Sequence, residues 1–243
     1  MRFHIITIFP EIFDSYFNES ILRRAQEKNK IDIKIYNLRD YADQNDSRRT
    51  VDNTPYGGGP GMVMMVEPIF KCVEEIKRKS KKRKIKSKIL ILLTSAKGNL
   101  YTQQKAEKIK NNYTDVIIIC GRYEGVDERV AKYIADEEIS IGQYILTGGE
   151  IPAMIVVDSI TRLLDGVLGN KESLVSETYN NKDKKNADIE YGVLHSDKIN
   201  FDYPVYTKPE EFNGWNIPEI LLSGHHQKIK EWRARSMKSR RRD

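Results

Sequence analysis

The chain has 243 residues with 39% hydrophobic and 31% charged side chains, and a mean hydropathy of −0.59. That is enough for one substantial core plus a smaller appendage, and no apolar run approaches the twenty residues of a transmembrane helix. The net charge of +6 is unevenly spread: residues 77–88 carry nine basic and no acidic side chains, residues 225–243 carry eight basic against two acidic, and the remainder is therefore acidic.

The chain opens on an apolar stretch, residues 2–9, which reads as a strand. It runs directly into Pro10 with no small-residue cleavage site, so no secretory signal is expected and the expected location is cytoplasmic. Ile12, Phe13, Tyr16, Phe17, Ile21, Leu22 and Ala25 recur at intervals of three and four, predicting a helix over 11–28, and Ile31, Ile33 and Ile35 alternate as a strand does. After a long loop, 68–79 reads as a helix, 88–95 as a buried strand, 101–111 as a helix and 115–120 (DVIIIC) as another buried strand. A short helix near 127–134, a strand over 138–146 and a helix from 151 to 164 follow. Alternating strands and helices with wholly apolar strands predict an α/β fold, a mostly parallel sheet with helices on both faces. This domain is expected to span 1–168. Residues 169–201 are rich in Asn, Lys, Asp, Ser and Glu, and read as a linker. Residues 202–243 read as a small basic helical domain, its last helix starting near Ser223 with Ile229, Trp232 and Met237 as apolar contacts.

Cys72 and Cys120 lie far apart with no Cys-x-x-Cys, so neither a disulfide framework nor a zinc site is indicated. The two basic segments favour a polyanion such as RNA, although 77–88 alone also suits a solvated helix face. Three segments concentrate glycine. Residues 55–62 (PYGGGPGM) lack the Gly-Lys-Ser/Thr of a P-loop and follow no convincing strand, so both a turn and a binding loop remain open. Residues 120–129 (CGRYEGVDER) and 140–153 (SIGQYILTGGEIPA) follow predicted strands, and ligands of parallel sheets sit beyond strand carboxyl ends. Glu124 fits a cationic ligand or an ion pair with Arg122 or Arg129. His225 and His226 are adjacent but have no third ligand at metal-binding spacing, so no metal site is expected there.

These three segments, with DSITRLLDGVLG (158–169), DYPVYTKP (202–209) and LSGHHQKIKEW (222–232) in that order, resemble the bacterial tRNA (guanine-N1)-methyltransferases over nearly the whole chain. The resemblance implies a SPOUT-type sheet with a deep trefoil knot, a homodimer with its active sites at the subunit interface, and no membrane. It implies S-adenosylmethionine as methyl donor, with magnesium as an aid in some members. The substrate would be tRNA, methylated on N1 of the guanine immediately 3′ of the anticodon, position 37.

Matched motif by motif, the resemblance places the donor against Thr94, Ser95, Gly121, Glu124, Ile141, Gly142, Gln143, Tyr144, Ile145, Leu146, Gly148, Gly149 and Pro152. It makes Arg162 the catalytic arginine, a position that otherwise reads as an ordinary helix-surface arginine. Substrate contacts would come from Tyr56, Gly57, Gly58 and Gly59, and from Lys208, Ser223, His225 and His226, with Ser223 also reading as a helix N-cap. Guanine N1 must lose its proton before it attacks, which calls for a carboxylate. The family's aspartate position is occupied by Glu177, one methylene longer, and Asp183, Asp188 and Asp197 of the apparent insertion that follows are alternatives. A knotted RNA-binding protein without turnover is the rival reading. A knotted enzyme acting on ribosomal RNA or a ribose hydroxyl is disfavoured by the 202–232 motifs.

Overall fold

The computed structural model describes residues 1–83, 87–169 and 203–238, and divides into two compact units, 1–169 and 170–243. In the first unit, strands β1 (Arg2–Thr7), β2 (Asp32–Asn37), β5 (Ile89–Leu100), β6 (Asp115–Cys120) and β7 (Glu137–Ser140) form one parallel sheet in the order β2-β1-β6-β5-β7. Register is set by alternation, because successive strand residues face opposite sides. Phe3, Ile5, Leu90, Leu92, Val116 and Ile118 enter one core, while Ile6, Ile91, Leu93, Ile117 and Ile119 enter the other. Both faces are therefore apolar, and each is covered by helices.

Helices α2 (Ser20–Glu27), α4 (Gln103–Asn112) and α6 (Glu150–Thr161) cover the first face through Leu22, Ala25, Ala106, Ile109, Ala153, Val156, Val157 and Ile160. Helices α3 (Val66–Lys81) and α5 (Glu128–Tyr133) cover the second through Ile69, Cys72, Val73, Ile76 and Val130. Asp115, the first residue of β6, is wholly buried at the amino end of the sheet. Arg2 donates to it at 2.7 and 2.8 Å and Arg83 at 3.1 Å, and His4 Nε2 lies 3.3 Å away. Burial alone would raise its pKa; the bonds from His4, Arg2 and Thr114 outweigh that and hold it well below the usual carboxylate range.

Several expectations are corrected. The helix expected over 11–28 is a 3₁₀ turn (Pro10–Phe13), a single turn α1 (Asp14–Phe17) and then α2. The buried residues after Phe17 are Leu22 and Ala25, five and eight places on, so the inward face changes register, and the break is made at Ser20 with φ 48°. The strand expected over 138–146 ends at Ser140. There the Ser140 hydroxyl donates to the Gly142 carbonyl at 3.0 Å, and 141–149 runs on as a loop. The loop 55–62 does follow a strand: β3 (Asp52–Asn53) pairs antiparallel with β4 (Val63–Met64), making the glycines the tip of a hairpin.

The second unit is not purely helical. Strands β8 (Glu211–Phe212) and β9 (Trp215–Asn216) form a hairpin whose turn residues, Asn213 and Gly214, both have positive φ. Its helix α7 (His226–Lys238) begins three residues after Ser223, the predicted cap. The Ser223 hydroxyl instead donates to the Ile220 carbonyl at 2.7 Å and accepts from the His225 amide at 3.2 Å, closing the turn before the helix. Tyr206 packs near Trp232 with ring centroids 6.5 Å apart, and the Arg233 guanidinium lies 4.6 Å above the Tyr203 ring.

Candidate active site

Beyond the carboxyl ends of β5, β6 and β7 lies a cleft of about 510 Å³. Three features of the chain open it. Strand β6 ends at Cys120–Gly121 and turns away. Strand β5 bulges between Thr94 and Asn99, so that Leu92–Thr94 and then Asn99–Leu100 pair with β7. The loop 141–149 swings from β7 to the start of α6. Two glycines permit the close passages this requires. A Cβ on Gly98 would come within 2.5 Å of the Ile139 backbone nitrogen, and one on Gly149 within 2.0 Å of Thr94 Oγ1 and 2.7 Å of Cys120 Cα.

Thr94, Ser95, Gly121, Glu124, Ile141, Gly142, Tyr144, Ile145, Leu146, Gly148, Gly149 and Pro152 all line this cleft. Gln143, the thirteenth residue expected there, lies on the same loop, is exposed, and is not part of the lining. The Thr94 hydroxyl is already engaged: it donates to the Ile119 carbonyl at 3.1 Å and accepts from the Gly121 amide at 3.4 Å. Thr94 therefore ties β5 to β6 rather than offering a free donor. Tyr144, Ile145 and Leu146 are exposed, giving the wall apolar surface without burying it in the protein.

Glu124 does not pair with either neighbouring arginine. Arg129 is taken by Asp127, at 2.9 and 2.7 Å, and Arg122 by Glu150, at 2.9 Å. Among the described residues no cation lies within 4.0 Å of the Glu124 carboxylate, which faces the cleft and packs under Gly61. That packing brings the 55–62 hairpin to the rim of the cleft. The Glu124 amide donates to the Met62 carbonyl at 3.0 Å, the Met64 amide to the Gly125 carbonyl at 3.0 Å and the Asp127 amide to the Met64 carbonyl at 3.0 Å. Gly57, Gly58, Gly59 and Gly61 all have positive φ, which holds the tip in a conformation that leaves Tyr56 fully exposed.

A latch that the sequence reading missed holds the 141–149 wall of the cleft. The Glu150 carboxylate is 2% exposed at the first residue of α6, and accepts from the Thr7 hydroxyl at 2.8 Å and from Arg122 Nε at 2.9 Å. The same guanidinium donates to the Thr147 carbonyl at 3.1 Å and lies 4.7 Å over the Phe9 ring. One arginine thus joins the ends of β1 and β6, the loop and α6. Gly148 leaves it room, since a Cβ there would stand 2.2 Å from Arg122 Nε.

Arg162 is not brought into this cleft. It caps the carboxyl end of α6, whose amino end is at the cleft, and twelve residues of helix separate the two by roughly 18 Å. Glu177, Asp183, Asp188 and Asp197 lie outside the described residues. Lys208, Ser223, His225 and His226 are exposed in the second unit.

A parallel sheet with a ligand-sized cleft at its carboxyl edge is common to many folds, and comparison with known proteins narrows it. The whole chain, residues 1–243, matches the family described as tRNA (Guanine-1)-methyltransferase TrmD. The chain belongs to this family. Among curated TrmD relatives, a tRNA (guanine-N(1)-)-methyltransferase of Dictyoglomus turgidum is 48% identical over 96% of this chain and 83% of its own length. One of Geobacillus kaustophilus is 46% identical over 96% and 85%. The crystal structure of a tRNA (m1G37) methyltransferase from Aquifex aeolicus superposes with a TM-score of 0.72 at 37% identity, covering 96% of this chain and 87% of that one. The SPOUT-type α/β class expected from the TrmD motifs is the one found.

Proposed function

We propose that the protein transfers a methyl group from S-adenosylmethionine to N1 of the guanine 3′ of the anticodon in tRNA. The observation that carries this is the cleft itself: twelve residues drawn from two separate motifs and from strand β5 line one cavity at the carboxyl edge of a parallel sheet. Its volume falls in the range of small-ligand sites. Its exposed Tyr144, Ile145 and Leu146 offer apolar contact to an adenine, and the open backbone of 141–149 offers in-plane donors and acceptors. The cradle fits because glycines stand where side chains would fill it: a Cβ on Gly142 would lie 2.3 Å from the Tyr144 ring. Bound there, S-adenosylmethionine supplies a sulfonium methyl as electrophile, and Glu124 offers the cleft a carboxylate for the donor's cationic groups.

The remaining chemistry belongs to the chain. Glu177 takes the guanine N1 proton, and the Arg162 guanidinium donates to guanine O6, where negative charge collects as that proton leaves. Tyr56 and Gly57–Gly59 at the rim border the guanine, while Lys208, His225 and His226 meet the anticodon arm. Arg162 stands too far along α6 to serve the cleft of its own chain, so a second copy supplies it. Ile151 and Ile155, on the length of α6 leading to Arg162, are exposed, as are Ile12 and Tyr16 beside them, and such a face suits a homodimer. The backbone passages at Gly98 and Gly149 support a knotted path through the 95–98 and 141–149 segments. Magnesium has no comparable cradle: among the described residues no group of three or more His, Cys, Asp or Glu comes together. Among these residues, also, no helix is long and apolar enough to cross a membrane. A tRNA substrate carries a cytoplasmic location with it.

The test is methyl transfer from labelled S-adenosylmethionine to a tRNA transcript with guanine 3′ of its anticodon, beside the same transcript carrying adenine there. Label on the guanine transcript alone is expected. Label on both, or on neither, overturns the proposal.

A further inference from the structure

The basic run at the end of α3 takes no part in the cleft. Helix α3 starts at Val66, beside cleft-edge Met64, and its sixteen residues carry it about 24 Å to Lys81. Arg83 then reaches Asp115, the first residue of β6, whose last residue opens onto the cleft some 20 Å away. The charge of α3 therefore gathers at the opposite end of the sheet from the methyl-transfer site.

Much of that charge is accounted for. Lys71 pairs with Glu67 at 2.8 Å, Lys77 with Glu74 at 3.0 Å, Lys79 with Glu75, and Arg83 with Asp115. Arg78, Lys81 and Lys82 are exposed, and among the described residues none has a carboxylate within 4.0 Å. A helix carboxyl end favours cations, but only by tenths of a kcal/mol each within the last turn. Against that, positions 78, 81 and 82 are neighbours at spacings of three and four, where like charges repel. On the same row of the helix, two turns earlier, Phe70 leaves half its surface in solvent. Three adjacent cations and an exposed ring form a surface that is better satisfied by a polyanion than by water.

We infer that this face of α3 is a second tRNA contact, one that takes phosphate backbone beyond the anticodon arm. The inference rests on the proposed function for the identity of the polyanion. The chemistry suits phosphates rather than bases: Arg78, Lys81 and Lys82 line a shallow, open groove along α3 with Phe70 and the already paired Glu74 and Glu75, not an enclosed site shaped to read a base edge, so the contact adds affinity independent of sequence. It lies about 20 Å from the cleft where the target guanine reacts, so an RNA long enough to reach both would engage both.

The test is the triple substitution Arg78→Ala, Lys81→Ala, Lys82→Ala, which keeps strong helix formers on an exposed face. Binding is measured as a function of salt against a full-length tRNA transcript and against an isolated anticodon-arm hairpin. On the full-length transcript affinity should fall roughly 10- to 100-fold near 0.1 M salt, and the slope of log K against log salt should become shallower by about 2. The hairpin should bind as it does to the unsubstituted protein. An unchanged slope on full-length tRNA overturns the inference. Equal loss on both RNAs also overturns it, because the cations would then act at the anticodon arm. Methyl transfer by the unsubstituted protein is read separately, and its absence would sink the parent proposal rather than this one.

Discussion

Replacing Arg122 with alanine tests the latch, and the cost can be worked from its contacts. Glu150 is almost wholly buried, so removing the guanidinium strands a carboxylate in the interior, a loss of about 3–5 kcal/mol for buried pairs. Two features favour the lower end. The Thr7 hydroxyl still donates to Oε1, and the carboxylate sits at a helix amino terminus, where its charge is favoured. Loss of the cation over Phe9 adds about 0.5–1 kcal/mol, for a total near 3–4 kcal/mol. Glu150→Gln keeps one acceptor oxygen, for Arg122, and turns its amide nitrogen to the Thr7 hydroxyl, which can rotate to accept; with charge assistance lost, about 1–2 kcal/mol is expected. Urea unfolding gives the stabilities, and a double-mutant cycle over Arg122 and Glu150 isolates the coupling. Because the same guanidinium holds the Thr147 carbonyl, calorimetry should show donor affinity at least 10-fold weaker in Arg122→Ala, with Arg122→Lys intermediate. A loss under 1 kcal/mol with unchanged donor affinity would refute the latch. A loss of stability alone would leave it a structural pair with no hold on the 141–149 loop.

Gly149→Ala should cost about 2–4 kcal/mol and weaken donor binding, because the new methyl meets the backbone of Cys120 and Gly121 at 2.7 and 2.8 Å; Gly58→Ala, at φ 80° with open space around it, should cost only about 1 kcal/mol in the same denaturant titration. Folding lowers the Asp115 pKa, so the unfolded chain binds more protons in acid: the stability this group contributes is whole above about pH 4 and drains away as pH falls, and Asp115→Asn should flatten that acid limb in pH-dependent unfolding. Arg162→Ala and a cleft-filling Gly142→Trp should each abolish turnover, yet a mixture refolded in equal amounts should recover about a quarter of the activity, since half the dimers would pair one intact cleft with one intact arginine; no recovery would place Arg162 and the cleft in the same chain. Glu177→Gln should abolish turnover with donor binding intact, and retained turnover in the labelled-methyl assay would move the base to Asp183, Asp188 or Asp197.

What was legible in the sequence was whatever depends on near neighbours. The run DVIIIC announces a strand buried on both faces because every side chain after Asp115 is apolar, and β6 is wholly buried. The expected helix over 68–79 lies inside α3 because Ile69, Cys72, Val73 and Ile76 keep helical spacing. The same logic failed where local pattern and tertiary role part. Ile141, Tyr144, Ile145 and Leu146 look like a strand's continuation because they are apolar, but their surface faces the open cleft, so 141–149 is a loop. Residues 11–28 look like one helix because apolar residues recur, but the buried set changes register after Phe17. The Asn213-Gly214 hairpin is marked in the sequence by its turn residues alone, because its two-residue strands are too short to show alternation beside the helical signal that follows.

The latch lay beyond such reading for a different reason. Arg122 and Glu150 are 28 residues apart and Thr7 is 143 from Glu150, so nothing in spacing joins them until the sheet order β1-β6-β5-β7 sets their elements side by side. Local inference leaves Glu124 to a cationic ligand or to an ion pair with Arg122 or Arg129, and the fold spends Arg122 on the helix start and Arg129 on Asp127, leaving Glu124 open to the cleft. That exchange has a physical logic. A buried carboxylate at the head of α6 needs a cation, whereas a carboxylate at the cleft rim stays solvated and available to a positively charged ligand. The pairing that the sequence conceals is thus what keeps the Glu124 carboxylate unpaired at the cleft, and the latch and the open carboxylate are two consequences of one choice of partner.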